Sequence, residues 1–276
     1  MGKTGVSAVW HDSNESWEFR ELPLPDLEND AIQVKVEATS VCGSDLHIWR
    51  GDGIDTKKHP RDPFVFGHEM MGTVASMGNK VTTDSLRKPL KEGDRIAFSY
   101  FFPCAKCYNC IRGEFGACKF RLGRKPLEEW PVCNGGFAQY YYLRSPHYIF
   151  KLPDEISNAS AAPINCALAQ VYDALHLGGV MMGDNIVIQG AGGLGINATA
   201  IANELGASKI IVIDGQKPRL DLAVQCGATD IIDMNEYDTP QSRIDRVMEL
   251  TNGIGADKVV EVVGFPQVVE EGVDMV

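Results

Sequence analysis

Apolar and polar positions alternate along the first half of the chain. Ala31 to Ala38 (Ala-Ile-Gln-Val-Lys-Val-Glu-Ala) sends successive side chains to opposite faces, the mark of a half-buried strand. Gly72 to Met77, Arg95 to Tyr100 and Phe137 to Leu143 predict further strands, set off by Gly and Pro. Gly93-Asp94 turns the chain into the strand at Arg95. Many short strands with irregular connections predict a compact, barrel-like domain. Thr82 to Lys91 is polar and charged, which predicts a surface excursion.

The pattern changes after Lys151-Leu-Pro-Asp-Glu. Ser157 to His176 is rich in Ala and Leu at helical spacing. From Asn185 the order becomes strand, glycine turn, helix, strand. Asn185 to Gln189 and Lys209 to Ile213 are short apolar strands, and Ile196 to Leu205 between them reads as a helix. Asp230 to Asp233 and Lys258 to Val263 continue the series. This alternation predicts an α/β domain with a parallel sheet. There is no internal repeat and no low-complexity segment.

Composition narrows the function classes. A chain of 276 residues has room for about two domains. Its 44% hydrophobic and 23% charged residues are those of a soluble globular protein. A net charge of -11 argues against binding nucleic acid by neutralising phosphates. No apolar run approaches the ~18 residues of a membrane span, and the first residues carry no signal-peptide core. Val6 stands where a myristoylation motif beginning at Gly2 needs Ser or Thr. The expectation is a cytoplasmic protein with neither a membrane nor a nucleic-acid partner.

Two patterns carry chemistry. Cys104, Cys107, Cys110 and Cys118 form C-x2-C-x2-C-x7-C. Four thiolates on one loop suit tetrahedral zinc and leave no open position, so the site is structural. Disulfides or unconnected thiols are the competing reading, disfavoured in a reducing compartment. Gly190-Ala-Gly-Gly-Leu-Gly195 fits G-x-G-x-x-G between a strand and a helix, and Asp214 ends the next strand. Gly190 permits the tight turn, Gly192 lets backbone approach a pyrophosphate, and Gly195 allows close helix packing. The helix start at Gly193-Leu194 offers N–H groups to phosphate. Asp214 suits the adenosine ribose hydroxyls and repels a 2′-phosphate, favouring NAD over NADP; Lys217 and Arg219 just beyond weaken that preference. A glycine turn with no nucleotide is the bland alternative. Cys42-Gly-Ser-Asp-Leu-His47 and Gly67-His-Glu69 hold further donors. Taken singly these are ordinary core or surface residues; beside the other two patterns they suggest a second metal site.

Together these motifs resemble the zinc-dependent medium-chain alcohol dehydrogenase family. The resemblance also rests on Asn134-Gly-Gly-Phe-Ala and on Cys166, and runs from about Ala31 to the last residue. It implies a GroES-like β-barrel catalytic domain over residues 1–160. It implies a Rossmann doubly wound parallel sheet, the NAD-binding domain, over 161–276. Two zinc ions per chain are implied, one catalytic at Cys42, His68 and Cys166 and one structural at the four-cysteine loop. Glu69 would lie next to the catalytic zinc, and Asp45 would orient His68. Ser44 would take the alcohol proton and pass it by way of the nicotinamide ribose to His47. The product is an aldehyde or ketone, with hydride passed to NAD. Cys166 favours simple primary or secondary alcohols, since polyol-type members commonly place a glutamate there; a polyol- or threonine-type enzyme is the alternative. Gln170 and Gly43 depart from residues that some members place near the cofactor. Cys133, Cys226, His11, His59, His147 and His176 read as ordinary residues, and Tyr100-Phe-Phe as core. Family members continue through two more sheet strands, so the resemblance implies a fold incomplete at its C-terminal end, with homodimers or homotetramers for the full-length form. A zinc- and nucleotide-binding fragment without turnover is then a further alternative. A zinc-free quinone or enoyl reductase is disfavoured by the cysteines.

Overall fold

The computed structural model describes residues 3–12, 16–52, 63–121 and 135–276. Gly2, His59, Cys133 and Asn134 lie outside the described residues. The chain divides into two compact units, Met1–Cys166 and Ala167–Val276. The break falls after Cys166, beyond the boundary expected at 160. The 3-10 turn Ala162–Asn165 packs its Ile164 and the preceding Ala161 against Met71 and Ala97 of the first unit.

The first unit is built on antiparallel strands. They are β1 (Thr4–Trp10), β2 (Glu18–Pro23), β3 (Ile32–Ser40), β4 (Phe64–Val65), β5 (Glu69–Met77), β6 (Arg95–Phe98), β7 (Tyr140–Leu143) and β8 (Ile149–Lys151). Five form a sheet in the order β7-β3-β5-β6-β8, and three form a second in the order β2-β1-β4. A bridge between Ser7 and Ala138 links them. Ile32, Val34, Met70, Val74, Ile96 and Phe98 fill the main core. Short helices punctuate the strands: α1 (Gly43–Arg50), α2 (Tyr108–Ile111) and α3 (Asn158–Ala161). The stretch Thr82 to Lys91 is more than an excursion. Asp84 is buried and accepts backbone N–H groups from Leu86, Lys88 and Lys151, tying the segment to β8.

The second unit alternates α4 (Ala167–Leu177), β9 (Asn185–Gln189), α5 (Gly193–Glu204), β10 (Lys209–Asp214), α6 (Lys217–Gln225), β11 (Asp230–Asp233), α7 (Pro240–Leu250), β12 (Lys258–Glu261) and α8 (Pro266–Val273). Its sheet is parallel in the order β11-β10-β9-β12. Ile186, Val187 and Ile188 are fully buried, because helices cover both faces and leave no solvent side to alternate with. The single helical run expected from Ser157 to His176 is broken: α3 ends at Ala161, Pro163 sits in the 3-10 turn, and α4 starts only after Cys166. No helix among the described residues is long and apolar enough to cross a membrane.

Candidate functional site

The β3–β5 ladder ends on the pair Ser40 and Glu69. Cys42 follows one strand just beyond that rung, and His68 precedes the other. Gly67, at φ +88°, makes the bend that presents His68; a Cβ there would meet Phe137 at 2.6 Å. Phe66 and Gly67 accept backbone bonds from Phe137 and Gly136 of the second glycine motif, which fixes this bend.

Cys42 caps α1. Asp45 accepts the Cys42 N–H at 3.0 Å on one oxygen and faces His68 Nδ1 at 3.4 Å with the other. Asp45 is 4% exposed, so its charge is held in a poorly solvated place. His68 Nε2 thus points the other way, with Ser44 Oγ at 3.4 Å. Cys166 arrives from the 3-10 turn, which Asn165 anchors by donating to the Phe98 carbonyl at 3.0 Å. Donor atoms of Cys42, His68, Glu69 and Cys166 all lie within 4.8 Å of one another.

The charges fit a cation. The Cys166 thiol bonds to Cys42 and, with help from His68 and Ser44, holds the Cys42 thiol far below its usual range, at about 3. Cys166 is pushed up by that thiolate and by burial. Burial opposes charge on His68, but bonds to Asp45 and Cys42 outweigh it and raise the imidazole to about 9. Concentrated negative charge is here balanced by shared protons, whose place a divalent ion could take.

The four-cysteine loop is a second cluster. Sulfur separations are 3.5 Å for Cys107–Cys110 and 3.9 Å for both Cys104–Cys110 and Cys107–Cys118. A sulfur tetrahedron around zinc at 2.3 Å has edges of about 3.8 Å. None of the four cysteines is joined in a disulfide. Backbone N–H groups of Lys106 and Cys107 lower the Cys104 thiol to about 6, while burial and neighbouring sulfurs push Cys110 up to about 12.

In the second unit, Gly190 turns at φ +99° and α5 opens with no side-chain cap on its N-terminus. A Cβ at Gly195 would lie 1.8 Å from the Gly190 carbonyl oxygen, whereas at Gly192 or Gly193 it would meet nothing within 4 Å. A cradle thus opens over Gly192, Gly193 and Leu194, where phosphate oxygens can meet backbone N–H groups. Asp214 accepts Ala191 N–H at 2.7 Å and Gln216 N–H at 2.8 Å, one on each oxygen. Arg219 reaches the same carboxylate at 3.8 Å.

Comparison with known proteins agrees with this layout. A family model described as "Alcohol dehydrogenase GroES-like domain" matches residues 28–154, and one described as "Zinc-binding dehydrogenase" matches 193–276. The L-threonine 3-dehydrogenase of Bacillus licheniformis is 34% identical over 261 residues, covering 93% of this chain and 69% of that protein. The sorbitol dehydrogenase of Bacillus subtilis is 32% identical, covering 94% and 69%. The crystal structure of an alcohol dehydrogenase from Thermotoga maritima superposes with a TM-score of 0.89 at 30% identity, covering all of this chain and 75% of that one. The chain belongs to the zinc-dependent medium-chain alcohol dehydrogenase family.

Within this family framework, three residues come forward that the sequence left without a role. Ser40 bonds to Glu69 at 2.6 Å. The Tyr100 ring stands 4.9 Å from the His68 ring, and its hydroxyl interacts with the Cys166 thiol. Asn165 holds the turn carrying Cys166. No local motif marks them, because strand register and ring packing create these contacts. His47 lies on the exposed side of α1, its Nδ1 bonded to Asp52 at 2.9 Å. Gly43 opens α1 and Gln170 is exposed on α4. The bland readings of other residues have concrete partners: His11 pairs with Glu18, His147 with the Asp30 carbonyl, His176 stacks on Tyr172, and Cys226 caps α6.

Proposed function

We infer that this dehydrogenase oxidises an alcohol CH–OH group to a carbonyl with NAD as hydride acceptor, using zinc at Cys42, His68 and Cys166. The observation that carries this is the convergence of two thiols, an imidazole and a carboxylate within 4.8 Å, in a chain with dehydrogenase relatives. When bound, zinc supplies Lewis acidity to the substrate oxygen and nicotinamide takes the hydride. The chain's own residues do the rest. Asp45 fixes the imidazole so that Nε2 faces the donors. Cys42, His68 and Cys166 as three protein ligands would leave one position open to the alcohol oxygen. Ser44 Oγ, beside His68 Nε2, receives the alcohol proton, and His47 on the same helix passes it to solvent. Glu69 adds a carboxylate at the edge of the donors. The four-cysteine loop holds a second zinc with a purely structural part.

Gly190, Gly192, Gly193, Leu194 and Gly195 form the phosphate cradle, with Asp214 for the ribose. The bonds that orient Asp214 support NAD. Lys217 pairs with Asp221 at 3.0 Å and Arg219 lies 3.8 Å from Asp214, surface contacts that engage both cations only weakly. Cys166 supports a simple alcohol. A polyol or amino-alcohol substrate is the second reading, favoured by the relatives named for threonine, D-xylulose and sorbitol.

The test is nicotinamide reduction by the purified chain, with zinc content measured alongside. Simple alcohols, polyols and L-threonine form separate arms, each with NAD and NADP. Two zinc per chain and reduction of NAD in one arm are expected. No reduction in any arm by fully loaded protein would overturn the assignment.

A further inference from the structure

Ser40 and Glu69 face each other across the last rung of the β3–β5 ladder, so their side chains share one side of the sheet. Ser40 Oγ donates to Glu69 Oε2 at 2.6 Å, and Thr39 Oγ1 donates to the Glu69 carbonyl at 2.9 Å. Both the side chain and the backbone of Glu69 are therefore held from the opposite strand. Glu69 is 6% exposed, and its carboxylate stands within 4.8 Å of the donors of Cys42, His68 and Cys166. A carboxylate this close can itself complete a four-ligand set, and a site closed by four protein ligands has no position for substrate.

We propose that Ser40 is a positioning residue that tethers Glu69 at the edge of the donor cluster and keeps the fourth coordination position available to an incoming oxygen. The inference rests on the metal assignment made above. An O–H···O⁻ bond of this length is a strong, charge-assisted one. For Glu69 to ligate, its carboxylate must turn towards the donors and give up that bond. The tether restrains ligation without forbidding it, so the carboxylate stays at hand for ligand exchange while the resting site stays open.

The experiment uses the full chain loaded with Co²⁺ in place of zinc and imidazole as the incoming ligand. Thiolate-to-cobalt absorption reports occupancy. The d–d bands report imidazole binding at the three-ligand site alone, since the four-thiolate site is closed to it. Ser40→Ala is expected to weaken imidazole binding about tenfold, the effect of losing one hydrogen bond to a charged group. Ser40→Thr, which keeps the hydroxyl, is expected to bind imidazole as the parent does. Adding Glu69→Gln to Ser40→Ala is expected to restore binding, because an amide is a poor metal ligand. An unmoved Kd in Ser40→Ala, or a weakening that persists in the double variant, overturns the tether while leaving the metal site intact. Cobalt that never shows an imidazole-sensitive spectrum overturns the metal assignment, and the tether with it.

Discussion

Asp45 links the backbone of α1 to the imidazole of His68. One oxygen satisfies the Cys42 N–H at the helix start, and the other faces Nδ1. An amide at this position keeps the size but loses the charge that steadies the ring. Asp45→Asn is expected to lower zinc affinity 10- to 100-fold or so, read by competition with a chromophoric chelator; unchanged affinity would remove Asp45 from the site. Asp84 acts on stability instead. Burial favours its neutral form, but three backbone N–H bonds outweigh burial and hold the carboxyl below its ordinary value. A carboxyl with a depressed folded pKa stabilises the fold above its unfolded value, about 3.9, and that contribution vanishes as pH falls through the lower folded value. Asp84→Asn turns an NH₂ towards a donor and is expected to cost about 1–3 kcal/mol near neutral pH. The gap to the parent should narrow below about pH 4. Urea unfolding at neutral and acid pH tests this, and an equal loss at both would refute it.

The turn between β9 and α5 separates two uses of glycine. Gly195 makes room for its own protein, since a Cβ there would strike the Gly190 carbonyl oxygen, while a Cβ at Gly192 meets open space. Gly195→Ala is expected to destabilise the second unit by a few kcal/mol, about the scale of overpacking. Gly192→Ala is expected to keep the melting temperature and lose dinucleotide affinity, measured by calorimetric titration. Loss of stability in both variants would deny the cradle. Elements like this one were legible because their pattern is undisturbed. β9 and β11 span the residues expected, and α5 starts earlier than Ile196 only because the glycines are already helical. β1 was hidden: Ser7 is buried while Val6 is exposed, which inverts the apolar alternation. α7 and α8 were hidden by the Arg243–Glu271 pair, two charged side chains in buried positions joined at 2.7 Å. The residues that cluster as candidate metal donors were legible as motifs. Ser40 and Tyr100 were not, because their part depends on what the facing strand or ring brings to them.

At the scale of the whole molecule, stability has different sources in different places. The second unit packs apolar clusters on both faces of its sheet, built on Ile186, Ile188, Ile210 and Val212 on one side and Val187, Ile211 and Ile213 on the other. Among the described residues the four-cysteine loop has no apolar cluster of this kind. It carries α2 and a 3-10 turn, its Tyr108, Ile111, Phe115 and Phe120 are exposed, with Phe115 packing on the Tyr148 ring, and of its cysteines Cys110 and Cys118 are buried. Four sulfurs within 4.8 Å of one another without a cation would meet mounting repulsion as they ionise, so metal binding at this loop would be part of local folding. Treatment with a strong chelator, or Cys107→Ser, is therefore expected to act unevenly. Amide protection should fall first at Ile111 to Phe115 and at Ala117 and Cys118, whose N–H groups bond within the loop, while the amides of β9, β10 and β11 keep theirs. Hydrogen exchange followed by peptide mass analysis reads both regions in one experiment. Because each unit has its own core, the loss should spread into the first unit before it reaches the second. Protection that falls equally in the loop and the parallel sheet, or that stays in the loop after all metal has left, would show that the sulfurs hold no folding free energy of their own.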